Sequence, residues 1–130
     1  MSSPAPGQTN LGMSPKLGGL LCYVPCCLGF IFSAVVAIVE KQSRFLRFHA
    51  FQSLLFHAAG FALGIAFWVV RMGLVVMDLG MIGLLFSLLQ LGVSVALLVV
   101  SILMMIKANG GEEYQLPVIG EMAKKWAYSA

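Results

Sequence analysis

Few residues in this chain could do chemistry. The candidates are two histidines (His49, His57), three cysteines (Cys22, Cys26, Cys27) and five acids (Glu40, Asp78, Glu112, Glu113, Glu121). His57 is the most informative, because it lies inside an otherwise uncharged stretch from Ala50 to Val70. An ionisable group at membrane depth faces a partner or a cavity. Its neutral imidazole could be an axial ligand for haem or chlorophyll. No CxxCH occurs and no second intramembrane histidine pairs with it. Bonding across helices to Ser87, Gln90 or a carbonyl is the plainer reading. The cysteines follow CxxxCC, without the CxxC pair or the further ligands that a metal site needs. They read as small packing residues. The acids fall at helix ends or in the tail, and no HExxH, GxSxG or phosphate-binding glycine loop is present. The expectation is therefore a protein without catalytic residues, metal or resident cofactor.

The elements that must position these residues follow from charge. Leu17–Val39 and Leu79–Ile106 carry no charged residue, and each run can cross about 30 Å of hydrocarbon at about 1.5 Å per residue. A hydrophobic content of 60% and a mean hydropathy of +0.95 set the chain apart from soluble domains. With 130 residues there is room for one domain. The fold class expected is an all-α membrane protein with three transmembrane helices, at about 16–39, 44–70 and 80–107. A short amphipathic interfacial helix follows within 112–128. Pro25 should kink the first helix, and Asn109-Gly110-Gly111 should stop the third. Residues 1–15, rich in Ser, Pro, Gly, Gln and Asn, read as a disordered tail and not as a signal peptide.

Three spans put Lys41, Arg44, Arg47, Lys107, Lys124 and Lys125 on one side and Lys16 and Arg71 on the other. The positive-inside rule then predicts an N-terminus out and a C-terminus in, in a bacterial inner membrane. The formal net charge of +3 is too small and scattered to suggest nucleic acid. It suits basic residues set among anionic headgroups.

Helices in lipid associate through small and polar residues. At 100° per residue, Gly29 and Ser33 share a face of the first helix. His57, Gly60 and Gly64 share one on the second, with a GxxxG step, and Ser87, Gln90 and Ser94 share one on the third. These stripes predict a compact bundle, packing against partner subunits, or self-association.

Two boundary segments say more. EKQSRFLRFHAFQS interleaves Phe45, Phe48 and Phe51 with Arg44, Arg47 and His49, and ends on Gln52 and Ser53, at the mouth of the second helix, where aromatics settle and arginine stems snorkel. YQLPVIG carries Tyr114, Leu116, Pro117 and Gly120 after the third helix, on the same side. The two should pack together, with Glu112 and Glu113 approaching Arg44 and Arg47. As a pair they resemble the Tic20-like family, which includes small bacterial proteins grouped as a domain of unknown function (DUF4870). The likeness runs from about Leu20 to Ala127 and is strongest at Arg47, Phe48, His49, Ala50, Gln52, Ser53, Tyr114, Leu116, Pro117, Gly120 and Ala123. It implies a part in protein translocation, since the plastid relatives serve envelope import. Those relatives have four spans, one more than expected here.

The functional expectation is a non-enzymatic membrane subunit or scaffold, in contact with the bilayer and other membrane subunits. A translocation component, or a pigment- or haem-associated subunit using His57, are the alternatives.

Overall fold

The computed structural model describes residues 9–25 and 27–128. Five helices form among them: α1 (Pro15–Cys22), α2 (Cys27–Val39), α3 (Arg44–Val76), α4 (Gly80–Asn109) and α5 (Ile119–Tyr128). Two, α3 with 33 residues and α4 with 30, are long and apolar enough to cross a membrane. The span expected at about 16–39 is thus corrected to two short helices. Residues 1–8 of the expected tail and Cys26 lie outside the described residues.

The break between α1 and α2 is a reversal, not a kink. Ser14 opens α1 by accepting the Leu17 N–H at 3.1 Å, and Pro15 supplies the first helical position. The helix ends at Cys22, the chain turns through Tyr23–Pro25, and α2 runs back beside it. Gly29 makes the turn possible: a Cβ there would lie 2.1 Å from the Val24 carbonyl oxygen. The hairpin returns to where it began. Glu40 accepts the Asn10 N–H at 2.8 Å, and the Asn10 side chain accepts the N–H groups of Lys41 and Gln42 at 2.6 and 3.2 Å. At α2 about 13 residues give about 20 Å, short of a 30 Å core. Its outward residues Leu28, Ile31, Val35 and Ile38 remain exposed, as suits a helix dipping into lipid.

α3 starts at Ser43, whose hydroxyl accepts the Leu46 N–H at 3.1 Å, and continues past residue 70 to Val76. A tight connection, 77–79, leads into α4. α4 ends in a Schellman motif: Gly111 takes a positive φ of 82°, its N–H bonds to Ala108, and the Glu112 N–H bonds to Lys107, both at 3.0 Å.

The core gathers at one end of the α3–α4 pair. Cys22, Tyr23, Val36, Leu46, Ala50, Met104 and Ala108 form its main cluster. Phe48 with Ala123 and Ala127 of α5 forms a second. The remainder of α3 and α4 leaves Phe61, Ile65, Trp68, Leu84, Leu88 and Leu91 exposed, a surface suited to acyl chains.

This arrangement corrects the expected sidedness. The loop at 40–43 and the segment at 110–112 belong to the same end as Asn10 and Lys16; the stem of Lys16 would touch a Cβ at Gly111, 3.1 Å away. The N-terminal segment and the C-terminal helix therefore share one end of the molecule, where three spans would have put them at opposite ends.

Candidate functional site: a buried polar cap

A chain reversal inside lipid leaves carbonyls that neither helix can satisfy, and lipid has no water to offer them. Here three serines from three helices take the role. Ser33 donates to the Cys22 carbonyl at 3.1 Å, Ser53 donates to the same oxygen, and Ser101 donates to the Tyr23 carbonyl. All three serines are buried. The tip of the hairpin is thereby fixed to α2, α3 and α4 at once.

Above the tip, Tyr23, His49 and Gln52 form a closed network, each with a solvent exposure of 0%. The Gln52 amide donates to Tyr23 Oη at 2.8 Å and to the Tyr114 carbonyl at 2.9 Å, while its Oε1 accepts the Leu116 N–H at 2.9 Å. His49 Nε2 lies 2.8 Å from the Glu112 carbonyl, which only accepts, so this nitrogen carries the proton. Nδ1 is then the acceptor for the Tyr23 hydroxyl at 3.0 Å. Every strong donor in this trio has an acceptor. Edge-on rings of Tyr23, Phe45 and Phe48 enclose the imidazole, with centroids 5.5, 4.6 and 5.1 Å away.

The two sequence segments singled out at the boundary meet here. His49, Gln52 and Ser53 face the hairpin and the strap 112–116, and Phe48 packs on Ala123 and Ala127. Leu116 joins the main core cluster. Pro117 is exposed and Gly120 is buried at the start of α5. Tyr114 contributes its carbonyl to the network, while its ring lies 4.8 Å from the Lys107 ammonium.

Other residues go elsewhere. Glu112 pairs with Lys107 at 3.2 Å, and Glu113 accepts the Tyr128 hydroxyl at 2.9 and 3.1 Å, so neither meets Arg44 or Arg47 as expected. Burial and that bond to Glu113 push the Tyr128 hydroxyl above its ordinary pKa. Arg44 stacks on Tyr128 and Arg47 on Phe51.

The small-residue stripes divide. Gly29 and Ser33 are buried in the hairpin. Nothing lies within 4 Å of a Cβ at Gly64, and only Leu97 Cδ1, at 3.9 Å, approaches one at Gly60. Of the GxxxG step, Gly60 thus approaches α4 at Leu97, while Gly64 faces open space. Ser87 donates to its own helix at Gly83, 2.9 Å away; Gln90 is half-buried and Ser94 exposed.

His57 donates from Nδ1 to the Ser53 carbonyl at 2.8 Å, with Ser53 Oγ 3.0 Å away, and not to Ser87 or Gln90. It lines an open groove of about 800 Å³ beneath the hairpin tip, with Phe30, Phe56, Phe61, Ser94 and Ser101. Cys22 is buried and Cys27 exposed, both as free thiols. No group of three or more metal-ligating side chains occurs among the described residues.

Tyr23, Ser101 and the Glu40–Asn10 clip were not picked out by sequence reasoning as joined features. Pro25 followed by Gly29 within one apolar run was the available signal for a reversal.

The model of the magnetosome magnetite crystal formation protein family (MamF/MmsF) matches residues 8–123. The chain belongs to that family. Among its relatives, the UPF0132 membrane protein MJ1443 of Methanocaldococcus jannaschii is 31% identical over 121 residues, covering 93% of this chain and 96% of that one. The UPF0132 membrane protein MJ1527 of the same organism is 31% identical over 117 residues, covering 89% and 72%. No solved structure matches. Family match and relatives make this a membrane protein. They also overturn the likeness to the Tic20-like and DUF4870 proteins. An aromatic and basic helix start is a general solution for a membrane boundary, and here those residues stitch a cap within the MamF/MmsF fold.

Proposed function

We propose that this MamF/MmsF member is a non-enzymatic membrane scaffold that shapes the setting in which magnetite crystals form. The observation that carries this reading is the closed network of Tyr23, His49 and Gln52. Its side chains are committed to backbone acceptors and to one another, so they hold the fold and leave no group for turnover. The family description supplies the process. The scaffold's cap, bearing seven of the eight Lys and Arg residues, faces the cytoplasm by the positive-inside rule; Arg71 is the exception at the other end. The open face at Gly60 and Gly64 supports assembly with further membrane subunits.

Disrupting the gene in a magnetite-forming cell tests the proposal. Altered crystal size or shape in otherwise normal membrane compartments is expected, and restoration requires an intact cap. Unchanged crystals by electron microscopy would overturn it. Solubilisation in a mild detergent should recover the chain in a larger assembly, and a chain recovered only as a monomer would remove the assembly element.

A second reading rests on His57. With Nδ1 donating to Ser53, the lone pair of a neutral ring lies on Nε2, beside an apolar groove large enough for a flat cofactor. A haem or chlorophyll ligated there would give the purified protein a visible absorption band that His57→Ala abolishes. A colourless protein from native membranes ends this reading.

A further inference from the structure

Two charged side chains are buried in the cap, and they are provided for unequally. Glu40 receives three backbone N–H groups, from Asn10, Gln42 and Ser43, at 2.7–3.0 Å. Arg47 is only 6% exposed, and its side chain makes no hydrogen bond and no ion pair among the described residues. Its Nε is the one sealed side-chain polar atom there without a partner. The guanidinium lies 5.7 Å from the centroid of Phe51, a cation–π contact that leaves its N–H donors unused. A buried cation in that state is costly unless an acceptor completes it.

The surroundings indicate which acceptor. Arg44 precedes Arg47 by one turn of α3, on the side that meets α5. Its guanidinium and the Lys124 ammonium both lie over the Tyr128 ring, at 5.4 and 5.7 Å. The Glu113 carboxylate is held by Tyr128. Arg44 and Lys124 thus meet over Tyr128 at the seam between α3 and α5, and Arg47, one turn along α3 from Arg44, borders the same seam through Phe51, whose ring is 6.1 Å from that of Trp126. A guanidinium fork matches the oxygens of a phosphate, and a bilayer presents a layer of phosphates at the mouths of its helices. We propose that Arg47, with Arg44 and Lys124, binds a phosphate group at this seam, as carried by an anionic phospholipid.

Native mass spectrometry of the full chain in mild detergent tests this. The probes are phosphatidylglycerol, a diacylglycerol glycolipid without phosphate, and inorganic phosphate. Phosphatidylglycerol should be retained, one per chain, in preference to the glycolipid. R47Q should weaken retention about tenfold, the order expected for losing a charge-assisted contact, whereas R71Q at the far end should not. Arg47-dependent binding of inorganic phosphate that displaces the lipid would keep the site and assign it to free phosphate. Equal retention of both lipids, or R47Q behaving as the parent chain, would overturn the proposal. Should R47Q fail to fold, R44Q/K124Q changes only exposed side chains; it should lower retention without lowering the melting temperature, and unchanged retention would likewise overturn the site.

Discussion

Gln52 ties α3 to two other parts of the molecule through one amide: the hairpin through Tyr23, and the strap through Tyr114 and Leu116. Replacing it with leucine keeps the bulk but strands two backbone groups, the Tyr114 carbonyl and the Leu116 N–H, while the Tyr23 hydroxyl keeps its bond to His49. Such losses cost about 1–3 kcal/mol for each group left unsatisfied. Q52L should therefore destabilise the protein by about 2–6 kcal/mol, read as a lower melting temperature in detergent. Tyr23→Phe removes only the hydroxyl between His49 and Gln52, and should cost about 1–3 kcal/mol. If Q52L melted no lower than Y23F, the strap contacts would contribute nothing. The residue types of this cluster were legible in the sequence as a boundary motif. Tyr23 was not, because a tyrosine in an apolar run looks like any other large side chain until its partners are placed.

At the scale of the elements, two glycines make opposite forecasts. Gly29 sits where a Cβ would strike the Val24 carbonyl, whereas Gly64 faces open space. Gly29→Ala should prevent the hairpin from closing and destabilise by at least about 2 kcal/mol. Gly64→Ala should leave the isolated chain's melting temperature unchanged or raised, by up to about 1 kcal/mol of helix propensity. Equal losses for both would refute the packing described. The long helices were readable because uncharged length alone specifies them. The hairpin was not: 23 apolar residues fit a span as well as they fit a dip. Only long-range hydroxyls, Ser53 and Ser101, decide between the two by satisfying the turn.

For the whole molecule, the non-crossing hairpin sets the topology. Sidedness reporters before residue 12 and after residue 128 should give the same side, and one inserted at Asp78 the opposite side. Opposite readings for the two ends would restore three spans and refute the fold. The distribution of charge points the same way, since moving Lys16 to the cap end leaves one basic residue at the other. Sequence periodicity could not reveal this; counting the hairpin as a span misplaces only what precedes it, the N-terminal segment with Lys16.

The acceptors and donors that complete the hairpin's turn come late in the polypeptide: Ser101 for the Tyr23 carbonyl, then the 112–116 strap for His49 and Gln52. During synthesis the first forty residues therefore leave the ribosome without the partners that let them rest in lipid. The α3–α4 pair must insert first, and the beginning of the chain settles only after its end has been released. A ribosome stalled near codon 100 should leave Cys27 open to water-borne thiol reagents that the finished protein, once embedded, excludes.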